Sequence, residues 1–224
     1  MPGWGNSAYA KVAATYNPLQ YVEDVEALLG EAGIGRFVAI GTSLGGLMTM
    51  LLALKDPARI AGAVLNDIGP VVEPEGLARI RDYVGSGRSF PTWMHAARAL
   101  EETHAAAFPQ FAIGDWLRMA KRTMTLGQNG RIVFDYDMKI AEPFADEGGG
   151  PAPDLWPAFA ALAGRPLTVL RGELSDVLSA ATVREMAARN PSAEIVTIAG
   201  CGHAPSLDEP EARVAIDRLM ARCD

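Results

Sequence analysis

The chain has 224 residues, 49% of them apolar, enough to bury a sizeable core, and its length favours one domain carrying an insertion. A formal net charge of −7 and a pI near 5.0 argue against a nucleic-acid partner. The apolar run Leu44 to Leu54 stops at Lys55 and Asp56, short of membrane-spanning length. Cys201 and Cys223 are too few for a disulfide framework, which fits a reducing, cytoplasmic setting, and no signal peptide is visible.

In chain order, the first periodic stretch runs from about Leu19 to Ala32, with Tyr21, Val22, Val25, Leu28 and Leu29 on one helical face. Phe37 to Ile40 follows the turn residues Gly33 and Gly35 and reads as a short strand buried on both faces. A helix from Leu44 to Leu54 and a second strand, Ile60 to Leu65, come next. Between Asp67 and Pro166 the pattern changes. Gly76 to Val84, Thr92 to Phe108 and Ile113 to Thr125 predict amphipathic helices, broken at Gly85-Ser86-Gly87, Pro109 and Gly127-Gln128-Asn129-Gly130. Arg131 to Met138 reads as an extended return, and Asp146 to Pro153 as a flexible linker. Strands at Pro166 to Arg171 and Ala193 to Ile198 bracket a helix from about Ala180, and PEARVAIDRLM closes the chain as a helix.

Chemistry concentrates in three loops, each following a strand. Gly41-Thr42-Ser43-Leu44-Gly45 is a G-x-S-x-G pattern between a strand and a helix, the context in which that pattern marks a nucleophile turn. Such a turn forces Ser43 towards positive φ, with Gly41 and Gly45 relieving the crowding. It also puts the Leu44 amide at a helix N-terminus, where its N–H and the dipole favour a developing oxyanion. The bland reading is a glycine-rich loop with Ser43 as an ordinary N-cap; the missing Gly-Lys-Ser/Thr ending argues against a phosphate loop.

A serine nucleophile needs a base, and the base an orienting carboxylate. Of three histidines, His95 and His104 fall in an alanine-rich helical stretch, whereas His203 lies in the loop after a strand, where open α/β sheets place their chemistry. Cys201, two residues away, is a weak nucleophile candidate. For the carboxylate, Asp176 in the Gly172 to Val177 loop is one candidate, with Glu173 a weaker rival and Asp67 a stronger one. Asp67 and Asp176 both follow strands, so spacing does not separate them.

Taken together, V-A-I-G-T-S-L-G-G, R-G-E-L-S-D and G-C-G-H-A-P-S-L-D-E-P resemble the α/β-hydrolase-fold enzymes over nearly the whole chain. The resemblance implies an α/β fold: a mostly parallel sheet flanked by helices, with core residues 1–70 and 154–224 and a helical cap and linker at 71–153 forming a lid. It implies Ser43 as nucleophile, His203 as base then acid, and Asp176 as the residue holding the imidazole, with Asp67 the alternative acid. A serine in the nucleophile seat argues against the related dehalogenases and epoxide hydrolases. The implied reaction is cleavage of a small or medium carboxylic ester, a lactone or a related C–C bond, without metal or organic cofactor; acyltransferase and perhydrolase chemistry would use the same residues. Trp93, Met94, Phe108, Phe111, Trp116, Met119 and Met124 form an apolar set in the insertion. Of these, Trp93, Trp116, Met119 and Met124 are candidate lining for an apolar substrate, or else the insertion's own core.

The resemblance departs at the start. Family members begin with four strands and take a second oxyanion donor from a loop among them, whereas Met1-Pro2-Gly3-Trp4-Gly5-Asn6-Ser7 resembles the loop after the fourth strand. The expectation is therefore a sheet missing its first half, with the nucleophile strand at an exposed edge open to homodimer pairing, and roughly 60 to 80 residues upstream in the natural protein. Losing one oxyanion donor typically costs about a hundred- to a thousandfold in rate. The competing expectation is a truncated, catalytically impaired fold acting as a ligand-binding or dimerising module.

Overall fold

The computed structural model describes residues 1–145 and 153–223. Its elements run α1 (Pro18–Glu31), β1 (Phe37–Thr42), α2 (Leu44–Lys55), β2 (Ile60–Asn66), α3 (Pro74–Tyr83), β3 (Ser89–Phe90), α4 (Trp93–His104) and α5 (Ile113–Thr123). They continue with β4 (Met124–Leu126), β5 (Ile132–Phe134), α6 (Glu142–Ala145), α7 (Trp156–Ala160), β6 (Leu167–Gly172), α8 (Ala180–Arg189), β7 (Glu194–Ile198) and α9 (Pro210–Met220). Among these residues no helix is long and apolar enough to cross a membrane.

Two compact units emerge, one of Asn17–Ala78 with Gly148–Asp224, the other of Met1–Tyr16 with Arg79–Glu147. The larger unit is built on a parallel sheet of order β1-β2-β6-β7. All seven residues of β2 are buried, as a strand covered on both faces must be. Helix α2 packs along β1 and β2, and α9 across β2, β6 and β7. Gly62 of β2 allows that last approach, since a Cβ there would stand 2.3 Å from Cys223 Sγ. Helix α1 starts at Asn17, whose side chain accepts from the Gln20 N–H, with Pro18 at the first helical position. Among the described residues β1 pairs on one side alone, and Ile40 is 47% exposed there.

In the smaller unit α4 and α5 pack together beside an antiparallel sheet of order β3-β5-β4. The expected extended return at Arg131 to Met138 holds β5, while β3 and β4 were not expected. Met124 and Thr125 extend a strand rather than the helix expected to reach Thr125, and α4 ends at His104 rather than Phe108. The opening segment also departs from expectation, joining the insertion and not the core. The Gly5 N–H donates to the Asp135 carbonyl, the Asp137 N–H to the Gly3 carbonyl, and Trp4 bridges to Tyr136. Tyr16 closes the arrangement by donating to Asp137 Oδ2 at 2.6 Å while accepting the Ala10 N–H at 2.7 Å. The expected linker falls almost entirely on residues 146–152, outside the described residues.

Candidate active site

Ser43 stands between β1 and α2 with φ 49° and ψ −116°, the left-handed backbone that the tight turn requires. It occupies the N-cap position of α2, yet its side chain makes no capping bond. Its Oγ lies instead 3.0 Å from His203 Nε2, which removes the ordinary N-cap reading. The Leu44 N–H is the first of α2 and has no acceptor within the helix's own ladder.

The glycines divide the work differently from the motif. A Cβ on Gly41 would stand 2.4 Å from the Gly45 carbonyl group, so strand and helix touch backbone to backbone there. Gly45 itself meets nothing within 4 Å. The residue that must lack a side chain is the next one, Gly46, where a Cβ would lie 2.2 Å from Ile68 Cγ2.

His203 Nδ1 lies 2.8 Å from Asp67 Oδ2, with 6% of the imidazole and none of the carboxylate exposed. The carboxylate against the imidazole is thus that of Asp67, not Asp176 as the sequence resemblance had it. The reason is sheet order. Asp67 follows β2, the central neighbour of both β1 and β6, and its N–H donates to the Leu170 carbonyl, prolonging the ladder past the strand end. Asp67 also has φ 56°, a conformation that Asp tolerates better than most residues. Asp176 belongs to a turn whose carbonyl packs on α3, where a Gly76 Cβ would stand 2.4 Å from the Asp176 oxygen. Glu173, the other rival, accepts the Gly200 N–H at 2.8 Å and ties down the loop that carries His203.

Further contacts complete the array. The Gly172 N–H donates to Asp67 Oδ1 at 2.8 Å, and Ser175 Oγ lies 2.6 Å from Asp67 Oδ2. Gly172 approaches closely enough because it has no Cβ; one would meet the Cys201 and Gly202 carbonyl oxygens at 2.5 Å. Asn66, which sequence reasoning missed, links the two other loops. Its carbonyl accepts the Ser43 N–H, and its Nδ2 donates to Thr42 Oγ1 and to the Pro205 carbonyl. The available signal was a polar amide at the end of an otherwise apolar strand.

The remaining candidates fall elsewhere. Burial pushes the Cys201 thiol up to about 12, with the charges of Glu209 and Asp67 adding to it, so this cysteine stays a thiol and not a nucleophilic thiolate. His95 pairs with Thr92 Oγ1. His104 is driven down to about 4 by burial and then by the Arg79 charge, and packs edge-on against Tyr83. Trp116 is 1% exposed and meets Phe108 and Phe111 edge-on, and Met124 is 5% exposed, so both are core residues of the smaller unit. Met119 and Trp93 are half-buried.

A tight serine turn, a histidine loop and a buried aspartate on one parallel sheet together mark out a class of fold. The chain belongs to the Alpha/beta hydrolase family, which it matches over residues 1–217. It is 33% identical to a 3-hydroxybutyrate-oligomer hydrolase of Cupriavidus necator, the match covering 96% of this chain and 74% of that protein. An esterase of Mycobacterium tuberculosis is 28% identical over 97% of this chain and 71% of its own length. The crystal structure of an alpha/beta hydrolase from Novosphingobium aromaticivorans superposes with a TM-score of 0.94 at 63% identity, covering 99% of this chain and 78% of that one.

Proposed function

We propose that this chain is a serine esterase that cleaves short carboxylic esters, esters of short hydroxyacids among them, through an acyl-enzyme on Ser43. The observation that carries the reading is the continuous path from Ser43 Oγ to His203 Nε2 at 3.0 Å and from His203 Nδ1 to Asp67 Oδ2 at 2.8 Å. His203 takes the Ser43 proton as Oγ attacks the ester carbonyl, and the Leu44 N–H meets the oxyanion. The imidazolium returns its proton to the departing alcohol. Water, deprotonated by His203, then releases the acid and restores Ser43. Asp67 keeps Nδ1 as the donor, so that Nε2 is the basic nitrogen. The hydroxyacid preference is supported by the Cupriavidus relative, whose name specifies 3-hydroxybutyrate oligomers.

Turnover of p-nitrophenyl butyrate and of the linear dimer of 3-hydroxybutyrate tests this, with the Ser43→Ala variant beside the wild type. Hydrolysis lost in the variant and a fluorophosphonate adduct on Ser43 are expected. Turnover that survives Ser43→Ala would remove the nucleophile assignment, and no turnover or adduct in either protein would favour a ligand-binding role.

A further inference from the structure

We propose that Ser175 is a positioning residue, its hydroxyl fixing the Asp67 carboxylate against His203; this rests on the serine-esterase reading above. The direction of the key bond follows from counting. Ser175 Oγ accepts the Val177 N–H at 3.2 Å and the Leu178 N–H at 3.0 Å, which occupies both of its lone pairs. Only its own proton is left for the third neighbour, Asp67 Oδ2 at 2.6 Å. The hydroxyl therefore donates, and the two backbone amides hold it in that orientation.

The carboxylate thus receives three donors from three directions: the Gly172 N–H on Oδ1, and the Ser175 hydroxyl and His203 Nδ1 on Oδ2. With Asp67 fully buried, a donor lost from Oδ2 is not replaced from bulk water. Without Ser175, Oδ2 keeps the imidazole as its one donor, and the carboxylate is held less firmly against turning about its Cβ–Cγ bond. Ser175 is itself well anchored. Its N–H donates to the Gly172 carbonyl at 3.0 Å, and Gly172 packs on the backbone of the histidine loop. The turn that ends β6 is in this way a clamp across the array, built from a residue adjacent to Asp176, the acid that the resemblance favoured. A purely structural serine would close the same turn on Val177 and Leu178 and contribute nothing to rate.

The test compares kcat, KM and thermal stability of the full chain with p-nitrophenyl butyrate for wild type, Ser175→Ala, Ser175→Thr, Ser175→Cys and Ser43→Ala. Ser175→Ala is expected to lower kcat about ten- to a hundredfold at unchanged KM, the scale of one hydrogen bond to a charged group. Ser175→Thr, which keeps the donor, should restore most of it. Ser175→Cys keeps the size with only a weak donor and should fall well below Thr, which preserves the comparison if the alanine variant fails to fold. A Ser175→Ala protein with reduced stability and wild-type kcat would overturn the positioning role alone. Full turnover in Ser43→Ala would instead overturn the esterase reading, and this proposal with it.

Discussion

Gly45 closes the G-x-S-x-G pattern, but Gly46 is the position that the packing forbids to grow. In Gly46→Ala the new Cβ would stand 2.2 Å from Ile68 Cγ2 and 3.1 Å from the Gly41 carbonyl oxygen. Carbons in contact sit at about 3.5–4.0 Å, so roughly 1.5 Å of overlap must be relieved. Ile68 is 2% exposed, and its Cγ2 hangs directly from a branched Cβ, so it does not swing aside cheaply. Overpacking of this kind costs about 1–3 kcal/mol. At about 2–4 °C per kcal/mol for a chain of this size, Tm should fall by about 2–12 °C. Gly45→Ala meets open space inside a helix and should gain about 0.4–1 kcal/mol, raising Tm by about 1–4 °C. Thermal unfolding followed by circular dichroism measures both, together with Ile68→Ala and the double variant Gly46→Ala/Ile68→Ala. Because the clash and the cavity share one space, the double variant should lose less than the sum of its parts by about 1 kcal/mol or more. Equal losses at Gly45 and Gly46, or strict additivity in the double variant, would refute the packing argument.

Asp67→Asn should lower kcat by about three to four orders of magnitude while Asp176→Asn leaves it near wild type, and steady-state kinetics on one ester separates the two aspartates. His104 titrates at about 4 in the folded protein against an ordinary value of 6.5. The unfolded chain therefore binds the extra proton first, and stability should decline as pH falls from 6.5 towards 4, by an amount of order 1–3 kcal/mol. His104→Phe keeps the ring against Tyr83 and should flatten that part of the curve in urea titrations at stepped pH. Tyr16→Phe removes the hydroxyl that meets Asp137, 9% exposed, and should cost about 1.5–3 kcal/mol, read as a lower urea midpoint.

The sheet strands of the larger unit were legible because each is an apolar run bounded by turn residues, and β1, β2, β6 and β7 fall where the pattern puts them. The tight turn at Ser43 and the loop of His203 were legible for the same reason, since each directly follows such a run. The carboxylate beside His203 was not, because choosing between Asp67 and Asp176 needs the strand order, which one sequence does not state. A local clue existed in burial. Residues 60–70, Asp67 included, are buried without a break, whereas Asp176 is half-buried in a turn beside exposed Glu173 and Leu174. A carboxylate in so apolar a run calls for partners. Of the small antiparallel sheet, β5 falls in the extended return at Arg131 to Met138, whereas β3 and β4 escaped because they are two or three residues long, too short for any period to register. The pairing of residues 3–5 with 135–137 escaped because nothing local encodes so distant a partner.

The hydrogen bond from Tyr16 to Asp137 joins residues 121 positions apart, and that separation sets an order of events during synthesis. At about 5–20 residues per second, roughly 6–24 s pass between the emergence of the two partners. α1, β1, α2 and β2 all lie in the interval, free to condense while the opening segment has nothing to pair with. The smaller unit therefore closes only once Asp137 has emerged, and the larger one later still, because β6, β7 and α9 follow it in the chain. Ribosome stalling between codons 90 and 130 should leave residues 1–16 open to proteases, and release of the full chain should protect them.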